Sequence, residues 1–128
     1  MTAFVSDVRT GTHAGYDRIT ITFNNGAPGE YELKKQSSAT FTEDASGRTV
    51  VLPGSAGLLI IVRGADAHTN YSGPTDFKTG YAEILEARQM GDFEGVVQWG
   101  LGLSTSACHR AFLLTNPDRL VIDIEVAS

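Results

Sequence analysis

The sequence has one cysteine, Cys108, so it cannot form an intramolecular disulfide, and its cysteine usage favours neither an oxidising nor a reducing compartment. Its longest apolar run, residues 57–62, is far too short to span a bilayer. Residues 1–7 lack the basic start, apolar core and small-residue cleavage site of a signal peptide. Taken literally, this start indicates a cytoplasmic protein, but the chain opens almost directly on strand-like residues, which also fits a trimmed start.

Clusters of positive charge are missing as well. The chain has 10 Lys and Arg against 15 Asp and Glu, a net charge of −5, and these charges are spread along the sequence. Binding to nucleic acid or to an anionic membrane depends on clustered Lys and Arg, so both are poor partners for this chain. A length of 128 residues suits one hydrophobic core, and we expect a single domain over residues 1–128.

No catalytic template fits the sequence. Residues 54–57 have the wrong spacing for the nucleophile turn of α/β-hydrolases. Cys108 and His109 are adjacent, and neighbours on an extended strand point to opposite faces, so these two cannot form a dyad with each other. An enzyme would need Cys108 paired with another histidine, or two carboxylates such as Asp17 and Glu94 meeting in a cleft. We therefore expect no catalytic residue.

Motifs for metals and cofactors are also lacking. The three histidines, His13, His68 and His109, are dispersed, and no pair of His or Cys residues has the spacing that places two ligands on one face. The glycines of residues 100–102 lie inside a predicted strand, whereas a phosphate-binding loop precedes a helix. The sequence predicts neither a metal site nor a cofactor.

The strongest pattern that is present lies in residues 112–126. Beyond the turn signal at Asn116 and Pro117, apolar and polar side chains alternate. One side of the extended chain has Leu120, Ile122, Ile124 and Val126, and the other has Val121, Asp123 and Glu125. This alternation predicts a strand with one buried face. Because Pro117 has no N–H to donate, we expect a hairpin or tight corner there, preceded by a short strand at residues 111–114.

Strand patterns recur along the whole chain, separated by turns rich in glycine, proline and asparagine. The predicted strands are residues 4–10, 19–23, 31–36, 48–52, 58–63, 93–103, 111–114 and 120–126. Residues 58–63 are continuously apolar and should be central in a sheet, whereas the lysine-containing residues 31–36 suit a sheet edge. Residues 81–90 fit a strand or a helix, and their brevity and the lack of a strong cap favour a strand. These patterns predict an all-β protein, an antiparallel β-sandwich of about eight short strands with little or no helix.

The strand that contains Trp99 and the long loop of residues 64–80 have further features of interest. Trp99 alternates with the apolar Val97 and Leu101, which favours a place in the core. Gly100 and Gly102, on the opposite face of the same strand, would allow either close packing or the approach of a ligand. Loops as long as residues 64–80 are usually functional or mobile.

Residues 114–124, Leu-Thr-Asn-Pro-Asp-Arg-Leu-Val-Ile-Asp-Ile, resemble the closing motif of AMIN domains, β-sandwich modules that localise bacterial cell-wall amidases and outer-membrane secretins. Residues 13–18 and 93–97 are similar to the divergent AMIN-like domain of actinobacterial exported lipoproteins. The resemblance spans most of the chain. It implies an exported protein of the cell envelope or extracellular space, whose signal peptide has been removed.

Candidate ligand-binding residues combine amphipathic rings with hydrogen-bonding groups, which suit a sugar or a peptide. They are His13, Tyr16, Asp17, Arg18, Tyr71, Glu94 and Arg119. Two of them, Asp17 and Arg119, have structural alternatives. Arg119 follows a turn, so it could bond to carbonyl groups or a carboxylate and hold the corner, or it could point outward to a carboxylate of a peptidoglycan stem peptide.

These observations favour a non-catalytic module that recognises peptidoglycan or another cell-wall glycan. One alternative is a domain that docks an envelope protein, or a second copy of itself, along an exposed edge at residues 31–36. Another is a small-molecule or lipid carrier with a cavity between its sheets. The ligand and the oligomeric state stay open at this point.

Overall fold

A computed structural model describes residues 2–126, and all regular secondary structure in this part of the chain is β-strand. The strands are β1 (Ala3–His13), β2 (Tyr16–Asn24), β3 (Glu30–Gln36), β4 (Thr40–Thr42), β5 (Thr49–Val51), β6 (Ala56–Arg63), β7 (Ala65–Asp66), β8 (Asp76–Phe77), β9 (Ile84–Phe93), β10 (Val96–Leu103), β11 (His109–Leu114) and β12 (Arg119–Glu125). The all-β prediction is confirmed. There are more strands than the eight expected, partly because β4, β7 and β8 are two or three residues long and too short to show a period of two.

Two five-stranded sheets and one hairpin make up the domain. The first sheet has the order β11-β12-β2-β1-β7 and the second has the order β3-β6-β10-β9-β8, while β4 and β5 pair with each other. Neighbouring strands are antiparallel except for β1 and β7, which run parallel. The arrangement is the predicted β-sandwich. No helix in the part of the chain that the structure describes is long and apolar enough to cross a membrane.

The core lies between the two sheets and uses one face of each. Phe23 and Ile122 contribute from the first sheet, and Ile60 and Trp99 from the second. Trp99 is completely buried, with Phe77 packed beside it at a ring-centroid distance of 5.9 Å. The predicted core position of Trp99 is therefore confirmed. Each large apolar side chain removed from water in this way contributes about 1.5–3 kcal/mol.

Three predicted strand positions are also confirmed. The apolar strand β6 lies between β3 and β10, and the lysine-containing β3 is the last strand of its sheet. The ambiguous residues 81–90 fall largely in β9, which pairs with β10 along its length. Residues 64–80, expected to be irregular, contain only the short strands β7 and β8.

The prediction of one buried face for residues 112–126 is wrong. Leu120, Ile122 and Ile124 are buried as expected, but Val121 and Asp123, on the opposite face, are only 1% and 3% exposed. The strand β12 lies between β11 and β2, so outward side chains of both neighbours flank these two residues.

A second, smaller core lies on the outer face of the second sheet, where the β4–β5 hairpin covers it. This core contains Ala39, Phe41, Val50, Leu52 and Met90. The glycines of β10 allow the hairpin to approach. A Cβ at Gly100 would lie 3.1 Å from the ring of Phe41 and the methyl of Met90, and one at Gly102 would overlap the carbonyl oxygen of Pro53. These glycines therefore serve close packing, one of the two roles expected for them.

Candidate functional site

The outer face of the first sheet has a group of charged and aromatic side chains from three neighbouring strands. Ile19 and Ile21 of β2 point into the core, so the alternating Tyr16 and Arg18 point outward. The order β11-β12-β2 adds side chains of the other two strands to the same face. We call the resulting set the arginine–aromatic cluster. It consists of Tyr16, Arg18, Arg110, Phe112 and Asp123.

Asp123 is the centre of the arginine–aromatic cluster. Arg18 donates from Nε to Oδ1 of Asp123 at 2.7 Å and from Nη2 to Oδ2 at 3.1 Å. Arg110 approaches Oδ2 from the other side, with its Nε and Nη2 both at 3.1 Å. Burial alone would raise the pKa of Asp123, but the hydrogen bonds from the two arginines outweigh it and hold the pKa below its usual value. The carboxyl group is therefore ionised at neutral pH.

The aromatic rings fix the two guanidiniums in place. The Cζ of Arg18 lies 5.4 Å from the ring centre of Tyr16 and 6.0 Å from that of Phe112. The Cζ of Arg110 lies 5.7 Å from both rings. These are cation–π distances, and His13 stacks on Tyr16 with 4.9 Å between ring centres. The side chains of this surface are thus ordered before any ligand arrives.

A shallow pocket of about 290 Å³ opens beside the arginine–aromatic cluster. It is lined by Gly15, Tyr16, Cys108, His109, Arg110, Asp123 and Glu125. Burial first, and then the charge of Lys35, lower the pKa of His109, so its ring is neutral at neutral pH. Val126 lies at the rim, where its N–H donates to the carbonyl of Gly15 at 2.9 Å. The pocket therefore has a basic side chain, that of Arg110, and an acidic side chain, that of Glu125, at its edge.

Three of the candidate ligand-binding residues, His13, Tyr16 and Arg18, come together on this surface. Asp17 lies on the inner face of the same strand and is buried. One of its carboxylate oxygens accepts hydrogen bonds from the N–H groups of Glu83 and Ile84 at 2.8 and 3.0 Å. Through these contacts Asp17 joins the two sheets inside the protein. This agrees with the structural role that was the alternative to ligand binding for this residue.

The other candidates are separate from the arginine–aromatic cluster. The Nη1 of Arg119 donates to the carbonyls of Thr115 and Pro117 at 3.1 and 2.8 Å, which is the turn-holding contact that one interpretation expected. The Tyr71 hydroxyl donates to the carbonyl of Pro74. Burial, followed by the charge of Asp7, raises the pKa of Tyr71. A ligand-binding role for these residues stays a prediction.

Glu94 is exposed at the tip of the β9–β10 turn, with a positive φ of 51°. Asp17 binds the first residue of β9, Ile84, whereas Glu94 follows the last residue of that strand, Phe93. A strand of 10 residues spans about 30 Å, so Asp17 and Glu94 do not meet in a cleft. This particular pair of carboxylates is therefore not formed.

Sequence reasoning missed Arg110 and Phe112 as functional residues. Their alternation with His109 and Ala111 indicates a shared face, but their proximity to Arg18 depends on β12 lying between β11 and β2. Nothing in a single sequence states that strand order. Among residues 2–126, no group of three or more His, Cys, Asp or Glu side chains is placed to hold a metal ion.

Residues 3–126 match the family model of the AMIN-like domain, which covers nearly the whole chain. The chain belongs to the AMIN-like domain family. AMIN-like domains are generally non-catalytic modules associated with the cell envelope. No curated protein matches this AMIN-like domain.

Proposed function

We propose that this AMIN-like domain is a non-catalytic module that holds an exported protein at the bacterial cell envelope by recognising peptidoglycan or another cell-wall glycan. The observation that supports this proposal is the arginine–aromatic cluster beside an open pocket. In this mechanism the ligand lies on the outer face of the first sheet, and no bond is made or broken. Hydrogen bonds and aromatic contacts provide the affinity.

The chemistry of the cluster suits a cell-wall polymer. Peptidoglycan offers hydroxyl, amide and carboxylate groups, and a guanidinium can donate to all of them in a fixed geometry. Because Arg110 is already held by Asp123 and by two rings, binding loses little side-chain entropy. A sheet face is also open at both ends, so a long polymer can lie across it. Of the candidate residues, His13, Tyr16 and Arg18 act in this mechanism, joined by Arg110 and Phe112.

Co-sedimentation with purified peptidoglycan at low salt tests the proposal. We expect the wild-type domain to pellet with the polymer and Arg110→Ala to bind about tenfold more weakly, since a hydrogen bond to a charged group contributes about 1.5–3 kcal/mol. Arg48→Ala is the matched control, because Arg48 is an exposed arginine that pairs with Glu43 in the β4–β5 hairpin, away from the first sheet. A wild-type domain that stays in the supernatant would overturn the proposal, as would equal loss of binding in both variants.

The second candidate function is the docking of an envelope protein. The specific observation in its favour is that β3 pairs with β6 on one side only, which leaves backbone donors and acceptors on its other side. Capture of one defined partner from envelope extract, lost when proline replaces Lys34, would favour it. A lipid or small-molecule carrier has less support, because Phe23, Ile60, Trp99 and Ile122 fill the space between the sheets.

A further inference from the structure

Arg110 has hydrogen-bonding capacity that the protein does not use. Two guanidiniums share the single carboxylate of Asp123, so the arginine–aromatic cluster has a surplus of positive charge. The side chain of Arg110 is 67% exposed, against 27% for that of Arg18. Within residues 2–126, the Nη1 of Arg110 has no hydrogen-bond acceptor. A guanidinium that is fixed, exposed and only partly neutralised is a binding group for an anion.

Glu125 supplies the opposite charge at the same pocket. It lies two residues beyond Asp123 on β12, on the same outer face, and it is exposed. Its N–H donates to the carbonyl of Cys108 at 2.9 Å, which fixes the backbone of this rim. Among the described residues its carboxylate forms no ion pair, with Arg110 or with any other cation. This carboxylate is thus available to a cation in the pocket.

The relative positions of Arg110 and Glu125 indicate which kind of ligand the pocket could bind. Arg110 lies directly opposite Asp123, so Glu125 occupies the diagonal position on the neighbouring strand. Diagonal residues on antiparallel strands are roughly 7–8 Å apart, and within residues 2–126 the two side chains form no ion pair across this separation. Each of these two charged groups can form a charge-assisted hydrogen bond to one end of a ligand that has its own two charges a few ångströms apart.

We propose that this pocket binds a zwitterionic amino-acid group, with the carboxylate held by Arg110 and the ammonium held by Glu125. The inference rests on the proposed function, because it uses the same surface, and it names the part of the polymer that is recognised. A free amino-acid group of this kind occurs where a diamino acid in a peptidoglycan stem peptide is not cross-linked. The domain would then distinguish uncross-linked cell wall from mature, cross-linked wall.

A stem tripeptide that ends in diaminopimelate is the probe, and two capped forms of it provide the test. In one form the free amino group of the diamino acid is acetylated, and in the other its neighbouring carboxylate is amidated. Affinity is measured by calorimetry for the wild type, Arg110→Gln and Glu125→Gln. We expect each cap to weaken wild-type binding about tenfold, the effect of one charge-assisted hydrogen bond.

Each of the two variants should remove the same contact that one of the two caps removes. Arg110→Gln should weaken the free and the acetylated tripeptide about tenfold and leave the amidated form unchanged, because the carboxylate that Arg110 would bind is already neutralised in that form. Glu125→Gln should weaken the free and amidated forms and leave the acetylated form unchanged. Arg9→Gln is the control and should bind all three forms like the wild type. The comparison of the caps on the wild-type protein requires no variant to fold.

Equal wild-type affinity for the three tripeptides would overturn the inference, and so would the absence of binding at millimolar tripeptide. If the domain sediments with peptidoglycan through Arg110 but ignores the tripeptide, the proposed function stands and the zwitterion site falls. If the tripeptide binds with the expected dependence on both caps but the domain does not sediment with peptidoglycan, the zwitterion site stands and the proposed function falls.

Discussion

Arg18 and Asp123 are 105 positions apart in the sequence, yet the Nε of Arg18 donates to Oδ1 of Asp123 at 2.7 Å. Arg18 lies on β2 and Asp123 on β12, so this contact joins an early strand to the last one. It also holds the arginine in contact with the rings of Tyr16 and Phe112. One buried carboxylate therefore stabilises the fold and shapes the candidate binding surface.

Loss of this contact should destabilise the domain. We expect Arg18→Ala to lower the free energy of unfolding by about 1–3 kcal/mol, the effect of leaving a buried charged group less fully paired. The effect should stay below the 3–5 kcal/mol typical of an orphaned buried charge, because Arg110 still binds Asp123. Urea denaturation measures it. The exposed pair of Arg9 with Asp7 is the comparison, and Arg9→Ala should cost less than about 1 kcal/mol.

The contribution of Asp123 should depend on pH in acid. Its folded-state pKa is lowered, because the hydrogen bonds of the two arginines outweigh burial. The stabilisation is thus complete above the unfolded pKa of about 3.9 and is lost as pH falls through the folded pKa. We expect Asp123→Asn to be strongly destabilised at pH 6 and progressively less so, relative to wild type, below about pH 3.9. Denaturation curves of both proteins from pH 6 down to about pH 2 check this, and a difference that stays constant below about pH 3.9 would contradict it.

His68 should show the opposite pH dependence. Its Nδ1 lies 2.8 Å from Oδ2 of Asp92, and the hydrogen bond and charge of Asp92, followed by the charge of Asp66, raise its pKa. The resulting stabilisation is complete below the unfolded pKa of about 6.5 and disappears as pH rises through the folded pKa. We expect His68→Gln to melt at a lower temperature than wild type at pH 5.5 and at the same temperature near pH 9. A difference that persists at the higher pH would indicate that packing, rather than charge, stabilises this loop.

Gly102 should not tolerate a side chain. A Cβ at this position would overlap the carbonyl oxygen of Pro53 and lie 3.0 Å from the Cβ of Leu52. We expect Gly102→Ala to cost about 1–3 kcal/mol, as overpacking usually does, with a matching fall in the urea midpoint. Gly11 is the matched control, since a Cβ there would have nothing within 4 Å. Gly11→Ala should change stability by about 0.5 kcal/mol or less.

The sequence predicts much of the fold because apolar alternation has a direct physical cause. The inward residues of β2, such as Ile19 and Ile21, alternate with less buried neighbours, as burial on one face requires. The burial of Asp123 could not be predicted, because it depends on arginines from two other strands. For the same reason, the sequence predicts the arginine–aromatic cluster only where its residues are close along the chain. His13, Tyr16 and Arg18 are close in sequence, whereas Arg110 reaches them through strand pairing.

The hydrogen bond between Val126 and Gly15 has a practical consequence for anchoring the domain. It places the last described residue at the rim of the pocket, whereas Ala3, which begins β1, lies at the far end of the sandwich beside Ala65. A fluorophore, affinity tag or biosensor linkage attached after Val126 would start at the rim of this pocket and could block a ligand from entering it. The same attachment at the amino terminus would leave that surface facing outward.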